Sequence, residues 1–592
     1  MYKKVIVTLV ALVAIAGTIF YMKKSGFKIE SNKYANLYEA FNLVESDGSQ
    51  MTDDVYAVVI SGMLSDYKAI YQNSVYYVRY ETIRNKISDK FYWDSDETSI
   101  LYTTPTELVK FKIGGAKYTK GSEDLSWDND ITLQINDDLY IDLEFVKELT
   151  GIVTNVYKSP NRICITATFD PLPYAYANNI DNIRNDSDVT APIYQEAKIG
   201  EKLLLTGLTE NDFTEVMTED GVIGFIKTST LTDTEFIATN PSKELEKYTS
   251  ITREDKINLG WHQVTNTTAN YRLKDDVKNT KGLNVISPTW LSVKSSKGAI
   301  SSIVSSDYVD TAHDLGMDVW VLVDDFKTGR DGVHIVNEVI SNTNRRTKLI
   351  KNIIKQVKKC GADGVNIDFE YITEENGPAY IEFIRELSIK CRTEGLVLSV
   401  DTYVPADWSY YYDRAAQAEV VDYVIIMAYD EYNTSSDDAG PVSSYSYVEN
   451  GITNTIDEIG SDYASKVVVG LPFYTRIWTK TPEEYADKDA KIVEDSVNGN
   501  YAISSKAVGM DTVTDYIKEN GIATSFDEES GLNYGSLTDD TTGEFTQIWI
   551  EDEQSLSNKL DLVSTYDIAG AAFWKLTMET DSIWDMIDEK LK

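Results

Sequence analysis

Two kinds of hydrophobic pattern succeed each other along this chain. From Ile257 onward, short apolar runs in strand-like alternation are separated by longer stretches with apolar residues every three or four positions. The strand-like runs are Ile257–Val264, Leu283–Val293, Asp318–Phe326, Gly364–Glu370, Leu396–Val404, Val421–Tyr429, Lys466–Trp478 and Ala569–Leu576. Strands alternating with helices predict a parallel α/β sheet. Arg345–Cys360 (RRTKLIKNIIKQVKKC) has the spacing of a helix with one buried face. This half is about 335 residues long, more than the ~250 of a usual barrel. The surplus lies mainly between the seventh and eighth runs, roughly Thr479–Ile550.

The stretch Gly361–Tyr371, GADGVNIDFEY, carries the chemistry. As a strand it puts Val365, Ile367 and Phe369 on one face and Asn366, Asp368 and Glu370 on the other. Such a strand suits the inner wall of a barrel, with its outer face under helices and its inner face meeting a ligand. Two carboxylates two residues apart are separated by roughly 6.6 Å along the strand and project in parallel. Glycosidases of the usual kind flank the scissile bond with their carboxylates. A side-by-side pair suits instead one acid and one group supporting a nucleophile supplied by the substrate, such as the 2-acetamido carbonyl of a sugar.

DGVNIDFE resembles the D-G-x-D-x-D-x-E signature of glycoside hydrolase family 18, the chitinase-like (β/α)8 TIM barrels. The resemblance implies Glu370 as general acid and Asp368 as the residue that positions the acetamido group. Asn366 stands where many chitinases have a third Asp, and its amide is expected to hydrogen-bond Asp368. That departure resembles the spore-cortex and cell-wall branch of the family. The surplus before the eighth strand resembles the small α+β insertion that walls the cleft in some members.

Other motifs agree with this resemblance. IIMAYDE (Ile425–Glu431) resembles the family's M-x-Y-D motif, implying Tyr429 as a catalytic hydrogen-bond donor to the acetamido oxygen, with Met427 and Asp430 at the sugar. GLPFYTRIW (Gly470–Trp478) resembles G-x-P-x-Y-x-R and offers Tyr474 and Arg476. AAFWKL places Trp574 at the end of the eighth strand, where the family keeps a tryptophan under the sugar. An aromatic face there packs against the C–H face of a pyranose. Trp290 in SPTW and Tyr403 in DTYVP are further candidates for the cleft wall.

Ahead of the barrel the pattern changes. Lys3 and Lys4 precede Val5–Met22, eighteen uncharged and mostly apolar residues, and Lys23 and Lys24 follow. A spanning helix needs about 20 such residues. Residues 1–24 are therefore expected to be an uncleaved membrane anchor with the bulk of the chain outside, a cleaved signal being the alternative. A linker is expected over 25–54. Residues 55–170 are read as a duplicated α+β stalk, because Val75–Thr103 and Leu139–Thr166 repeat one strand–helix–strand–strand order at an offset near 63. It resembles the copper-amine-oxidase-type N-terminal domain, without copper ligands. Residues 191–232 (with GEKLLL and GVIGFIKTSTL) resemble the bacterial Src-homology-3-like small barrel of wall-binding proteins. The polar stretches Tyr174–Thr190 and Asp233–Asp255 read as linkers.

Composition adds exclusions. The net charge of −39 over 592 residues argues against nucleic acid and against docking on anionic polymers by charge. Three cysteines are too few for a disulfide framework, and three histidines without ligand spacing point to no metal. No cofactor is expected, and a monomer is. The function these patterns and resemblances imply is an exported glycosidase acting at N-acetylglucosamine in peptidoglycan. The alternatives are a chitinase and a chitinase-like lectin without turnover, and the presence of Glu370 speaks for an enzyme over the lectin.

Overall fold

The computed structural model of the chain describes residues 28–329, 332–488, 490–495 and 499–592. The expected anchor at Val5–Met22 lies outside the described residues; among those described, no helix is long and apolar enough to cross a membrane. The chain forms two units, the second comprising Glu246–Lys592 with two short segments, Asp94–Glu97 and Thr103–Leu108.

The second unit is a closed barrel of eight parallel strands. They are β1 (Ile257–His262), β2 (Val285–Ser295), β3 (Asp318–Asp324), β4 (Gly364–Asp368), β5 (Val397–Tyr403), β6 (Tyr423–Met427), β7 (Val467–Pro472) and β8 (Gly570–Trp574). Each pairs with the next, and β1 closes the ring between β2 and β8. Period-two alternation sorts the side chains. On β4, Val365, Ile367 and Phe369 face outward and are fully buried, and Phe369 stacks on Phe383. Phe383 belongs to α2 (Gly377–Glu394), which follows α1 (Thr343–Cys360). Asn342 caps α1 by accepting from the Arg345 amide, and Gly361 ends it in the left-handed region.

Inside the barrel the side chains change character from bottom to top. Ile257, Leu259, Val285, Trp320, Val397, Tyr423 and Ile425 fill the lower layers. Above them come Ser287, Asn366 and Ser399, and then the carboxyls of Asp368 and Asp401. The apolar floor stabilises the barrel, and the polar ceiling lies at the C-terminal ends, where the connecting loops begin.

The seventh strand differs from expectation. The run Lys466–Trp478 is two strands, β7 and a separate one at Tyr474–Pro482. Pro472, paired with Trp574, has no N–H to continue the ladder, and Phe473 donates its N–H to the Trp574 carbonyl before the chain leaves the barrel. Tyr474–Pro482 then founds a six-stranded sheet that runs to Phe545–Ile550 and includes the helix Met510–Glu519 on its way. The insertion thus begins at Tyr474, has its own core of Val508, Val513, Ile522, Ile548 and Ile550, and is α+β. A fully buried Lys559–Glu551 ion pair at 2.8 Å sits where the chain returns to the barrel.

In the first unit, the strand–helix pairs Val75–Arg79/Tyr80–Lys86 and Asp138–Asp142/Leu143–Thr150 lie side by side, their strands antiparallel with Arg79 opposite Tyr140. A hairpin follows each helix. Stretches read as linkers also carry structure. Leu172–Tyr176 and Asp181–Arg184 join a seven-stranded sheet with the strands of 193–237. Ala175, Ala177 and Ile183 are buried there, a few small apolar positions too sparse to register as a hydrophobic run. Within 25–54, Phe41 and Leu43 pack against Val59, Cys164 and Val222.

Gly570 sits where β8 passes β1: its φ is +154°, and an added Cβ would lie 2.1 Å from the Ile257 carbonyl oxygen. Backbone cannot yield as a side-chain end does. Gly570→Ala is expected to cost roughly 2–3 kcal/mol or more, read as a melting temperature lower by several degrees; an unchanged midpoint would contradict this closure.

Candidate active site

Asp368 is the last residue of β4, and Glu370 stands two residues on, beyond the strand end. Both line a cleft of about 620 Å³ at the C-terminal end of the barrel, together with Asp324, Asp401, Met427, Tyr429, Asp430 and Trp574. The cleft is floored by aromatics. Trp574 meets the buried Trp261 edge-on at 6.0 Å, and Trp261 in turn meets Tyr429 at 6.4 Å.

Asn366 is held from four sides. Its Oδ1 accepts from Trp261 Nε1 (3.0 Å) and Ser287 Oγ (2.9 Å), and its Nδ2 donates to Ser399 Oγ (3.1 Å) and Asp401 Oδ1 (2.8 Å). The amide therefore does not bond Asp368, as the sequence led us to expect. Asp401 takes the donor instead, because the two protons of Nδ2 point across to β5 rather than up β4.

Glu370 is positioned by its neighbours. The Tyr403 hydroxyl donates to Glu370 Oε2 at 3.0 Å. The backbone beneath Glu370 is fixed by Asp325, which is fully buried and accepts the N–H groups of Glu370 (3.0 Å) and Tyr371 (2.9 Å) on its two oxygens. Across the cleft, Asp430 accepts from Tyr474 (2.7 Å) and from Arg476 (3.1 Å). Tyr403, Tyr474 and Arg476 thus each hold a carboxylate of the cleft. Trp290 lines the cleft but is 2% exposed, with its Nε1 donating to Asn270.

Burial dominates the electrostatics. It pushes the Asp368 carboxyl well above the usual range, and Glu370, Asp401, Asp325 and Asp324 push the same way. Glu370 is raised by burial, partly offset by the Tyr403 hydrogen bond and reinforced by Asp430 and Asp324. Asp401 is also raised well above normal by burial, against the pull of the Asn366 donor. Burial holds the Tyr429 phenol neutral far into alkali, so it stays a donor. A carboxyl kept protonated near neutral pH can donate that proton to a leaving group.

The sequence reading missed Asp401, Asp325, Asp324 and Trp261. Asp401 had a signal: Ser399, Asp401 and Tyr403 share the inward face of β5, as Asn366 and Asp368 share that of β4. Asp325 had none beyond the doublet Asp324–Asp325 at a strand end.

Residues 332–579 match the family model described as glycosyl hydrolases family 18. The match takes in β4 to β8 and the insertion. The putative sporulation-specific glycosylase YdhD of Bacillus subtilis (strain 168) is 28% identical over 42% of this chain and 56% of its own length. The cortical fragment-lytic enzyme of the same organism is 23% identical over 41% of this chain and 53% of its own. The chain therefore spans about half the length of these curated relatives. Among solved structures, the C-terminal domain of a putative chitinase from Desulfitobacterium hafniense DCB-2 has a TM-score of 0.49 at 20% identity, covering 57% of this chain and all of that one. The spore cortex-lytic enzyme SleL of Bacillus megaterium QM B1551 has a TM-score of 0.47 at 18% identity, over 60% and 79%.

The carboxyl shifts fix a pH dependence. Burial raises Asp325 to about 7, whereas an unfolded aspartate releases its proton near ~3.9. Between those values the folded chain holds a proton that the unfolded chain has lost, so this stabilisation is complete at low pH and fades as pH rises toward 7. Asp368, Asp401 and Glu370 are shifted in the same direction. Thermal unfolding followed between pH 4.5 and pH 7.5, roughly the window these shifts define, should show a steeper loss of stability with rising pH in the native chain than in Asp325→Asn. Equal slopes would place Asp325 outside this titration.

Proposed function

We propose that this chain is a retaining glycoside hydrolase that cleaves β-1,4 bonds next to N-acetylglucosamine, with bacterial cell-wall or spore-cortex peptidoglycan as its substrate. The observation that carries the reading is the pair Asp368 and Glu370, side by side at the end of β4 in an aromatic-floored cleft. In the proposed reaction the sugar rests on Trp574. Glu370, neutral through burial, protonates the leaving oxygen. The 2-acetamido carbonyl attacks the anomeric carbon, Asp368 orients the acetamido N–H and balances the positive charge that develops, and Tyr429 donates to the acetamido oxygen. Glu370, now a carboxylate, accepts a proton from the water that opens the cyclic intermediate. Asp430, tied to Tyr474 and Arg476, is a fixed acceptor for sugar hydroxyls.

Three features favour peptidoglycan over chitin. The N-terminal apolar run, read as an anchor, would hold the enzyme outside the membrane beside its own wall. The first unit resembles stalk and wall-binding modules. Among the matched relatives, one is named as a sporulation-specific glycosylase and one as a cortical fragment-lytic enzyme.

Glu370→Gln should fold normally and lower turnover of peptidoglycan by about 10²–10⁴. Asp368→Asn should be comparably severe, and near-normal activity in either would remove the site assignment. Chitin oligomers turned over faster than peptidoglycan fragments at matched concentration would overturn the substrate and leave the residues standing.

A further inference from the structure

Asp401 is the buried group that the reaction above leaves without a task. It lies directly beside Asp368 in the register of β5 against β4. Neighbouring strands run ~4.8 Å apart, and both side chains enter the same end of the barrel, since both line the cleft. Asp401 is 2% exposed and Asp368 6%. The orientation of the amide one layer below them is determined: Asn366 Oδ1 is taken by Trp261 and Ser287, so its nitrogen faces Asp401. Among the described residues, no hydrogen bond ends on the Asp368 carboxyl. Asp324 and Asp325 from the end of β3, Glu370 beyond β4, Tyr403 on β5, Tyr429 after β6 and Tyr380 of α2 face this pair. Two carboxyls at paired positions of neighbouring strands, both this deeply buried, oppose each other's ionisation.

We propose that Asp401 is a positioning residue that shares one proton with Asp368, so that the acidic pair of this site runs across two strands and Asn366 is the fixed amide that holds it. This deepens the glycosidase reading and rests on it. At rest the proton lies on Asp368, opposite an Asp401 carboxylate that accepts from Asn366. As the acetamido group attacks and gains positive charge, the proton passes from an Asp368 oxygen to an Asp401 oxygen. Asp368 is then a full anion beside the cation. When water opens the intermediate and the positive charge is lost, the proton returns. No other bond changes in this step, and Asp401 touches no substrate atom.

The test is the pH profile of kcat on peptidoglycan fragments for the native chain, Asp401→Asn and the swap Asn366→Asp/Asp401→Asn. Asp401→Asn removes a like charge beside Asp368, so the acidic limb should move down by about one pH unit, with kcat lower by about tenfold. The swap returns a carboxyl to the neighbourhood of Asp368 and should restore the limb and most of the turnover. A merely structural Asp401 would lower kcat without moving the limb, and the swap would not rescue it; either result overturns the proposal. Should Asp401→Asn fail to fold, the folded swap decides alone, rescue supporting the proposal and turnover as low as that of Asp368→Asn overturning it. If neither variant folds, the carboxyl serves the fold and the proposal falls. Glu370→Gln keeps the two readings apart. Without native turnover that this variant abolishes, the glycosidase reading itself is lost. With it, an unmoved limb in Asp401→Asn removes only the shared proton.

Discussion

The burial of carboxyl groups is the constraint on which this structure turns. Asp324, Asp325, Asp368, Glu370 and Asp401 converge at one end of the barrel, and at the exposed rim Asp430 is paired with Arg476. Charges in such a place cost several kcal/mol each when left unpaired. The fold meets the cost through burial that favours the protonated forms and through donors placed on individual carboxyls: two backbone amides on Asp325, Tyr403 on Glu370, Asn366 on Asp401. The same burial favours the proton-bearing form of Glu370, the proposed acid.

The barrel provides the rigidity this requires. Closed pairing of eight strands leaves no edge to fray, and the apolar layers from Ile257 to Ile425 fix the height of the polar ceiling. Inward positions on β4 and β5 come into register pair by pair, Asn366 with Ser399 and Asp368 with Asp401. A site built from strand ends is held more closely than one built from loops. The insertion adds a wall from outside the ring, and through Tyr474 and Arg476 it holds Asp430, which lies beyond the end of β6.

Much of this was legible in the sequence because it depends on neighbours along one strand. The alternation of Val365, Ile367 and Phe369 with Asn366, Asp368 and Glu370 needs only period two, and the aromatic at the end of β8 needs only its motif. What escaped notice depends on neighbours across strands. The partner of Asn366 was expected two residues away, on Asp368, and lies on β5. Tyr474 and Arg476 were placed on a barrel strand, although Pro472 ends that strand and sends them into the insertion. The strands at 172–184 were hidden by polar residues around a few buried alanines and Ile183. Local pattern carries the layer a residue occupies, whereas hydrogen-bond partners come from closure of the ring.

In the proposed reaction the nucleophile comes from the substrate, and Asp368 and Glu370 serve it from one side. The most direct measurement is proton NMR of the anomeric configuration of the first product released from a β-linked N-acetylglucosamine substrate, recorded before mutarotation. Retention requires two displacements at the anomeric carbon, the first by the acetamido oxygen, so the β anomer is expected first, with no covalent sugar on the protein by mass spectrometry. Initial release of the α anomer, or a sugar attached to a carboxylate of the chain, would contradict the account.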